Sequence, residues 1–179
     1  MKQNILKKIE IPSEIKIEIV GTKVLLEKEG KKLERDFKGL NLKLKENTII
    51  IEEKKGNRDK KKLANTIEAH IKNMIAGLSE KWVYKLQICF VHFPTTVEIK
   101  DKELIIKNFL GENTPRKARI LDNVEVKKEG EDILIVESFD KEAAGQTAAN
   151  IEKATKVPTK DRRIFQDGIF IIEKAGRKI

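Results

Sequence analysis

The residues best suited to bond-making chemistry are two histidines and one cysteine, and their placement works against it. Cys89 and His92 stand three apart. On a strand they point to opposite faces, so a thiolate and imidazole cannot meet without distortion. His70, His92 and Cys89 also lack the ligand spacing of a zinc site, and His70 reads as a helix-surface or packing residue. The carboxylate pairs Glu52-Glu53 and Glu131-Asp132 sit at turns and strand ends among lysines, where nothing raises a pKa for acid catalysis. No glycine-rich phosphate loop or nucleotide fingerprint occurs. The expectation is a protein that is not an enzyme, with no cofactor and no metal.

What remains is cationic. Four clusters stand out: Lys54, Lys55, Arg58 and Lys60 to Lys62; Arg116, Lys117 and Arg119; Lys160, Arg162 and Arg163; and Lys174, Arg177 and Lys178. Guanidinium groups fork onto phosphate oxygens. The second cluster follows a turn, Asn108 to Pro115, rich in amide and hydroxyl groups. There Asn113 and the backbone N–H of Gly111 can add to the arginines. The plain alternative is an ordinary hairpin with a wet face. Arg116 and Arg119 stand three apart and face opposite sides of an extended chain, so Arg116 with Lys117 is the better pair. Arg162 or Arg163 can instead pair with Asp161 or Asp167. Trp82 and Tyr84 lie on an alternating strand and read as core. Without an aromatic platform beside the clusters, a folded RNA read by shape and phosphate fits better than a stacked single strand.

Net charge of +9 and a pI near 9.5 favour an anionic partner, nucleic acid first and membrane surface second. Many Lys–Glu alternations are simply solvated surface. With 5% aromatics and 37% charged residues, the core must be aliphatic. One cysteine excludes an internal disulfide and fits a reducing compartment. No run approaches the roughly 20 apolar residues of a membrane span, and MKQNILKK is too short and charged for a signal peptide. A soluble intracellular protein is expected.

The elements that must carry these residues follow from periodicity. Residues 9–52 read as short antiparallel strands: Ile15 to Ile19 alternates strictly, Gly21 and Gly30 turn the chain, and Thr48 to Ile51 closes the series. KKGNRDKKK (54–62) reads as a basic loop. Leu63, Ile67, Ile71, Met74 and Leu78 share one helical face, which predicts a helix over about 58–78. The pattern then repeats. IEIPSEIKI answers VHFPTTVEI, Leu33 to Phe37 answers Pro115 to Ile120, and 42–51 answers 124–136. Ala69-His70-Ile71-Lys72 answers Ala149-Asn150-Ile151-Glu152. Residues 82–90 form a long strand. A second helix, over about 140–156, is capped by Asp140 and carries a narrow face of Ala144, Ala148, Ile151 and Thr155. Ile169 to Ile172 is a last strand. The fold class is α+β: two tandem similar domains from an internal duplication, each an antiparallel sheet packed by one main helix. The boundary falls between residues 1–80 and 81–179.

Gln146, Asn150-Ile151, Asp161-Arg162-Arg163 and Phe165-Gln166-Asp167-Gly168-Ile169 carry a resemblance. So do AHIKNMIAG (69–77), VHFPTTVEI (91–99) and NFLGENTPRKARI (108–120). In this order they resemble the family of the sixth protein of the large ribosomal subunit, in its archaeal and eukaryotic branch. Where the family often has Tyr, this chain has Phe170. The resemblance implies the same two-domain architecture and a structural role in translation on the cytoplasmic ribosome. It implies partners in large-subunit rRNA and other large-subunit proteins, with translation factors nearby and no membrane. It also implies a position near the stalk base, the sarcin–ricin region and the factor-binding side, with the second domain making the main rRNA contacts. The candidate rRNA-binding residues are Gly111, Asn113, Arg116, Lys117, Arg119, Lys160, Arg162, Arg163 and Lys174. A different class of reading is a free-standing basic adaptor for anionic proteins or membrane surfaces.

Overall fold

The computed structural model describes residues 3–158, 160–161 and 163–179, and of Gln3, Lys54 and Lys55 the backbone alone. The chain divides into two compact units, Met1–Glu80 and Lys81–Ile179. None of the described helices is long and apolar enough to cross a membrane.

The first unit holds six strands: β1 (Gln3–Glu10), β2 (Lys16–Val20), β3 (Lys23–Lys28), β4 (Lys31–Asp36), β5 (Asn41–Lys45) and β6 (Thr48–Gly56). They precede one helix, α1 (Arg58–Ser79). The strands split into two antiparallel sheets, β1-β6-β5 and β2-β3-β4, rather than forming one. Period-2 alternation sends Ile9, Ile49 and Ile51 inward from one sheet and Val24 and Leu26 from the other. Ala64, Ile67, Ile71, Met74 and Leu78 of α1 close over them. The strand β1 is absent from the sequence reading, because its lysines mask an Ile5-Lys7-Ile9 alternation. The expected basic loop at 54–62 is not a loop either. β6 runs to Gly56 and α1 starts at Arg58, with only Asn57 between them. Asn57 caps the helix, its Oδ1 accepting from the Lys60 N–H at 2.9 Å.

The second unit repeats the order with β7 (Trp82–Cys89), β8 (Thr96–Lys100), β9 (Glu103–Lys107), β10 (Arg116–Arg119), β11 (Val124–Glu129) and β12 (Ile133–Ser138). Then come α2 (Lys141–Ala154), β13 (Gly168–Lys174) and β14 (Arg177–Lys178). A 3-10 turn, Phe109–Gly111, precedes β10. One sheet is β10-β9-β8, the other β11-β12-β7-β13-β14. Asp140 caps α2, accepting from the Glu142 N–H at 2.9 Å. Ala144, Ala148 and Ile151 are fully buried, and Thr155 nearly so. Burying an isoleucine side chain this way contributes about 1.5–3 kcal/mol.

The internal repeat extends to single hydrogen bonds. Ile11 N–H donates to the Asn47 carbonyl at 2.9 Å, and Ile88 N–H to that of Asp132 at 2.7 Å. Phe37 N–H donates to the Thr22 carbonyl and Ile120 N–H to that of Lys102, both at 2.8 Å. These bonds align β1-β6-β5 with β7-β12-β11, and β2-β3-β4 with β8-β9-β10. In the second unit the chain continues past the helix into β13, which pairs with the far edge of β7. In the first unit no described strand occupies the corresponding edge of β1.

Candidate nucleic-acid interface

The strand β10 sorts the second basic cluster by face. Ala118 is buried and Arg116 half-buried on the inner side, while Lys117 and Arg119 are exposed on the outer side. The outward pair is therefore Lys117 with Arg119, not Arg116 with Lys117. Arg116 turns inward because its guanidinium is engaged within the unit. Nε and Nη2 donate to the two Glu112 carboxylate oxygens, at 2.8 and 2.6 Å. Nη1 donates to the carbonyls of Ala154 and Lys156, at 3.0 and 3.1 Å. Its Cζ also lies 4.4 Å from the ring centroid of buried Phe109. The bond from Arg116 holds the Glu112 carboxyl below the usual range against a smaller upward push from burial. The bidentate fork that suits phosphate here pins the 108–116 turn to the C-terminal end of α2.

Gly111 sits at φ +74°, where a side chain would be strained, with Phe93 packed against it. Its N–H is directed to the Asn108 carbonyl at 3.4 Å, a long contact within the turn. Asn113 is exposed. Lys117 Nζ reaches Glu103 Oε2 at 2.9 Å across the hairpin, both side chains half in solvent. Such a surface pair is worth little and a phosphate can replace it. The Arg119 carbonyl accepts from Asn150 Nδ2 at 3.2 Å, which fixes its backbone to α2 and leaves the side chain outward.

In the third cluster, Arg163 is exposed and holds Asp161 in a bidentate pair, Nη2 to Oδ2 at 2.9 Å. That bond, and the Arg163 N–H on Oδ1, keep the Asp161 carboxyl low. Arg162 lies outside the described residues, as do the side chains of Lys54 and Lys55. Lys160 Nζ stands 4.3 Å from the Phe165 ring centroid. Lys174 is exposed at the end of β13, before the Ala175-Gly176 turn into β14.

The fold also assembles a group the linear reading missed. Asp167 is buried, and His92 Nδ1 lies 2.7 Å from its Oδ2. Oδ1 accepts the N–H groups of Val91 and His92, at 2.9 and 3.1 Å. Burial pushes this carboxyl up; the two N–H donors and the His92 ring outweigh it and hold it below its ordinary value. The His92 ring stacks on Phe165, centroids 4.7 Å apart. Around them Phe90, Phe93 and Phe170 are substantially exposed. Contrary to the sequence reading, aromatic side chains do accompany a basic cluster. A groove of about 850 Å³ opens beside them, lined by Val91, Lys153, Lys156, Phe165 and Phe170. The signal in the sequence was the failure of alternation at Phe90-Val91-His92-Phe93. Cys89 also lines this groove; burial, then the Asp132 charge, push its thiol up and away from a reactive thiolate.

Among the described residues, no three His, Cys, Asp or Glu side chains gather as a metal site requires.

Comparison with known proteins gives a consistent result. A profile of the family described as Ribosomal protein L6 matches residues 93–168. The chain is 44% identical over 173 residues to the large ribosomal subunit protein uL6 of Methanococcus vannielii, covering 96% of this chain and 94% of the relative. It is 43% identical over 170 residues to that of Ignicoccus hospitalis, covering 91% of each. For Staphylothermus marinus the figure is 47% over 176 residues, covering 95% of each.

Proposed function

The chain belongs to the ribosomal protein L6 family, in its archaeal branch, and on that premise we propose that it is a structural constituent of the large ribosomal subunit, not an enzyme, which binds large-subunit rRNA through its second unit. The observation that carries this reading is the outer face of β10, where Lys117 and Arg119 stand clear of the core while Arg116 holds the turn behind them. A fixed strand presenting two cations offers phosphates a preformed site, so little ordering entropy is lost on binding. Lys160, Arg163 and Lys174 extend the same kind of contact from the loop and strand that follow α2. Charge neutralisation and shape fit, rather than base reading, are the mechanism. Other large-subunit proteins are neighbours in this reading. The site lies toward the stalk base, the sarcin–ricin region and the side where translation factors dock.

Net charge alone does not select the second unit. Residues 1–80 carry 19 basic and 13 acidic side chains, residues 81–179 carry 19 and 16. The choice rests on how the cations are held. The test is a chemical footprint of the purified chain on large-subunit rRNA, repeated over a range of salt. If about six phosphates are neutralised, the log–log slope of affinity against salt is roughly −4 to −5. A flat salt response, or protection that survives removal of the second unit's cations, overturns the reading.

A further inference from the structure

The repeat leaves one position filled in the second unit and, among the described residues, open in the first. β13 lies antiparallel on the far edge of β7, with Phe170 opposite Gln87 and Glu173 opposite Lys85. Three side chains lock it there. Glu152 Oε1 of α2 accepts the Ile171 N–H at 3.3 Å, and Thr155 Oγ1 accepts that of Ile169 at 2.9 Å. Lys85 Nζ of β7 pairs with Glu173 at 3.3 Å.

The shared hydrogen bonds that align Ile11 with Ile88 also align Lys8 with Lys85. The shared motif in the helices aligns Lys72 with Glu152 and Ile75 with Thr155. In the first unit these residues line a groove of about 460 Å³ along the open edge of β1, with Ile9, Glu10, Pro12 and Ala76; its two lysines outnumber the one carboxylate. Lys8 is exposed there, aligned with the cation that meets Glu173 in the sister unit. Two hydrophilic acceptors have been replaced by an apolar wall, Ile75 with Ala76, and by the Lys72 ammonium, which rests on Glu68 at 2.8 Å.

We propose that the open edge of β1 takes an extended segment of another protein, added antiparallel as a fourth strand in the place that β13 holds in the second unit. Main-chain hydrogen bonds supply the attachment, as in other strand additions. The groove supplies the selection. The incoming segment carries an apolar side chain against Ile75 and Ala76, and an acidic one opposite Lys8, repeating the Glu173–Lys85 pair. A second copy of this chain is a poor occupant in the registers that set Lys7 or Lys8 against the same lysines of the other copy, where like charges face each other across the new pair. Lysines on an edge strand oppose self-association in this way while leaving the edge open to an acidic segment. The site lies in the first unit and does not depend on which cations hold rRNA. The assembled particle as its setting does rest on the ribosomal reading.

The experiment compares the full chain free and within isolated large subunits, by hydrogen exchange of the β1 amides and by zero-length carbodiimide crosslinking. The expected result is that alternate β1 amides exchange at least about tenfold more slowly in the subunit, and that Lys8 is joined to a carboxylate of another protein. Lys8→Glu abolishes that crosslink, while the rRNA footprint of the second unit is unchanged. Equal β1 exchange in both states overturns the proposal. So does protection that comes from rRNA, removed by nuclease, or from a second copy of the chain. Loss of the rRNA footprint with β1 protection retained would instead count against the reading of the second unit, which keeps the two failures apart.

Discussion

Arg116 grips both carboxylate oxygens of Glu112, four residues before it, and with the same guanidinium reaches the carbonyls of Ala154, the last residue of α2, and of Lys156 just past it. A side chain that looks in sequence like a phosphate ligand is in the fold a clamp between a turn and a helix end. Arg116→Ala is therefore expected to destabilise the second unit by about 2–3 kcal/mol, since hydrogen bonds to charged groups contribute about 1.5–3 and the Glu112 carboxylate loses its partner. Urea unfolding checks this. A variant as stable as the parent, yet weak in rRNA binding, would return Arg116 to the interface.

The outward pair behaves differently. Lys117→Glu with Arg119→Glu should cost only about 1 kcal/mol of stability, from the lost surface pair with Glu103 and the like charge set opposite it across the hairpin. It should weaken rRNA binding and flatten the salt slope by about 1.5, the share of two phosphates. Lys61→Glu, on the exposed side of α1, is the comparison and is expected to be tolerated. The reverse ranking would move the RNA surface to the first unit.

Ile151 is the largest side chain on a helix face otherwise made of alanine and threonine, and it is fully buried. Small neighbours cannot collapse into the space it leaves. Ile151→Ala should cost about 2–4 kcal/mol, with rRNA affinity falling only through the unfolded fraction. Thermal melts followed beside binding at low temperature separate the two effects.

Asp167 ties the 91–92 segment to the start of β13, and its carboxyl is held below the ordinary value. A depressed carboxyl stabilises the fold above the unfolded pKa, about 4, and that contribution is lost as pH falls through the lower folded value. Asp167→Asn removes the titration. The stability gap between parent and variant should be widest near neutral pH and narrow steadily below about pH 4. A gap that stays constant down to pH 3 would show that the Asp167 charge contributes nothing to the anchor.

Much of the architecture was legible in the residues themselves. Strict alternation in Ile15 to Ile19, the spacing of Ile67, Ile71 and Met74, the Asp140 cap and the Ala144–Ala148–Ile151 face each follow from local periodicity and local hydrogen bonding. Those depend on neighbours a few positions away. The repeat was legible for the same reason, since two copies of one pattern need only be compared with each other. What the chain alone could not decide was which surfaces and partners distant segments would share. Alternation says that a strand has two faces. It does not say that the strands of each half divide into two sheets, or that Arg116 faces in while Lys117 and Arg119 face out. Asp167 meets His92 across 75 residues, and the edge of β7 is filled where no described strand fills that of β1. Those outcomes come from packing, where a charged group settles with whichever partner the closed fold brings within hydrogen-bonding reach.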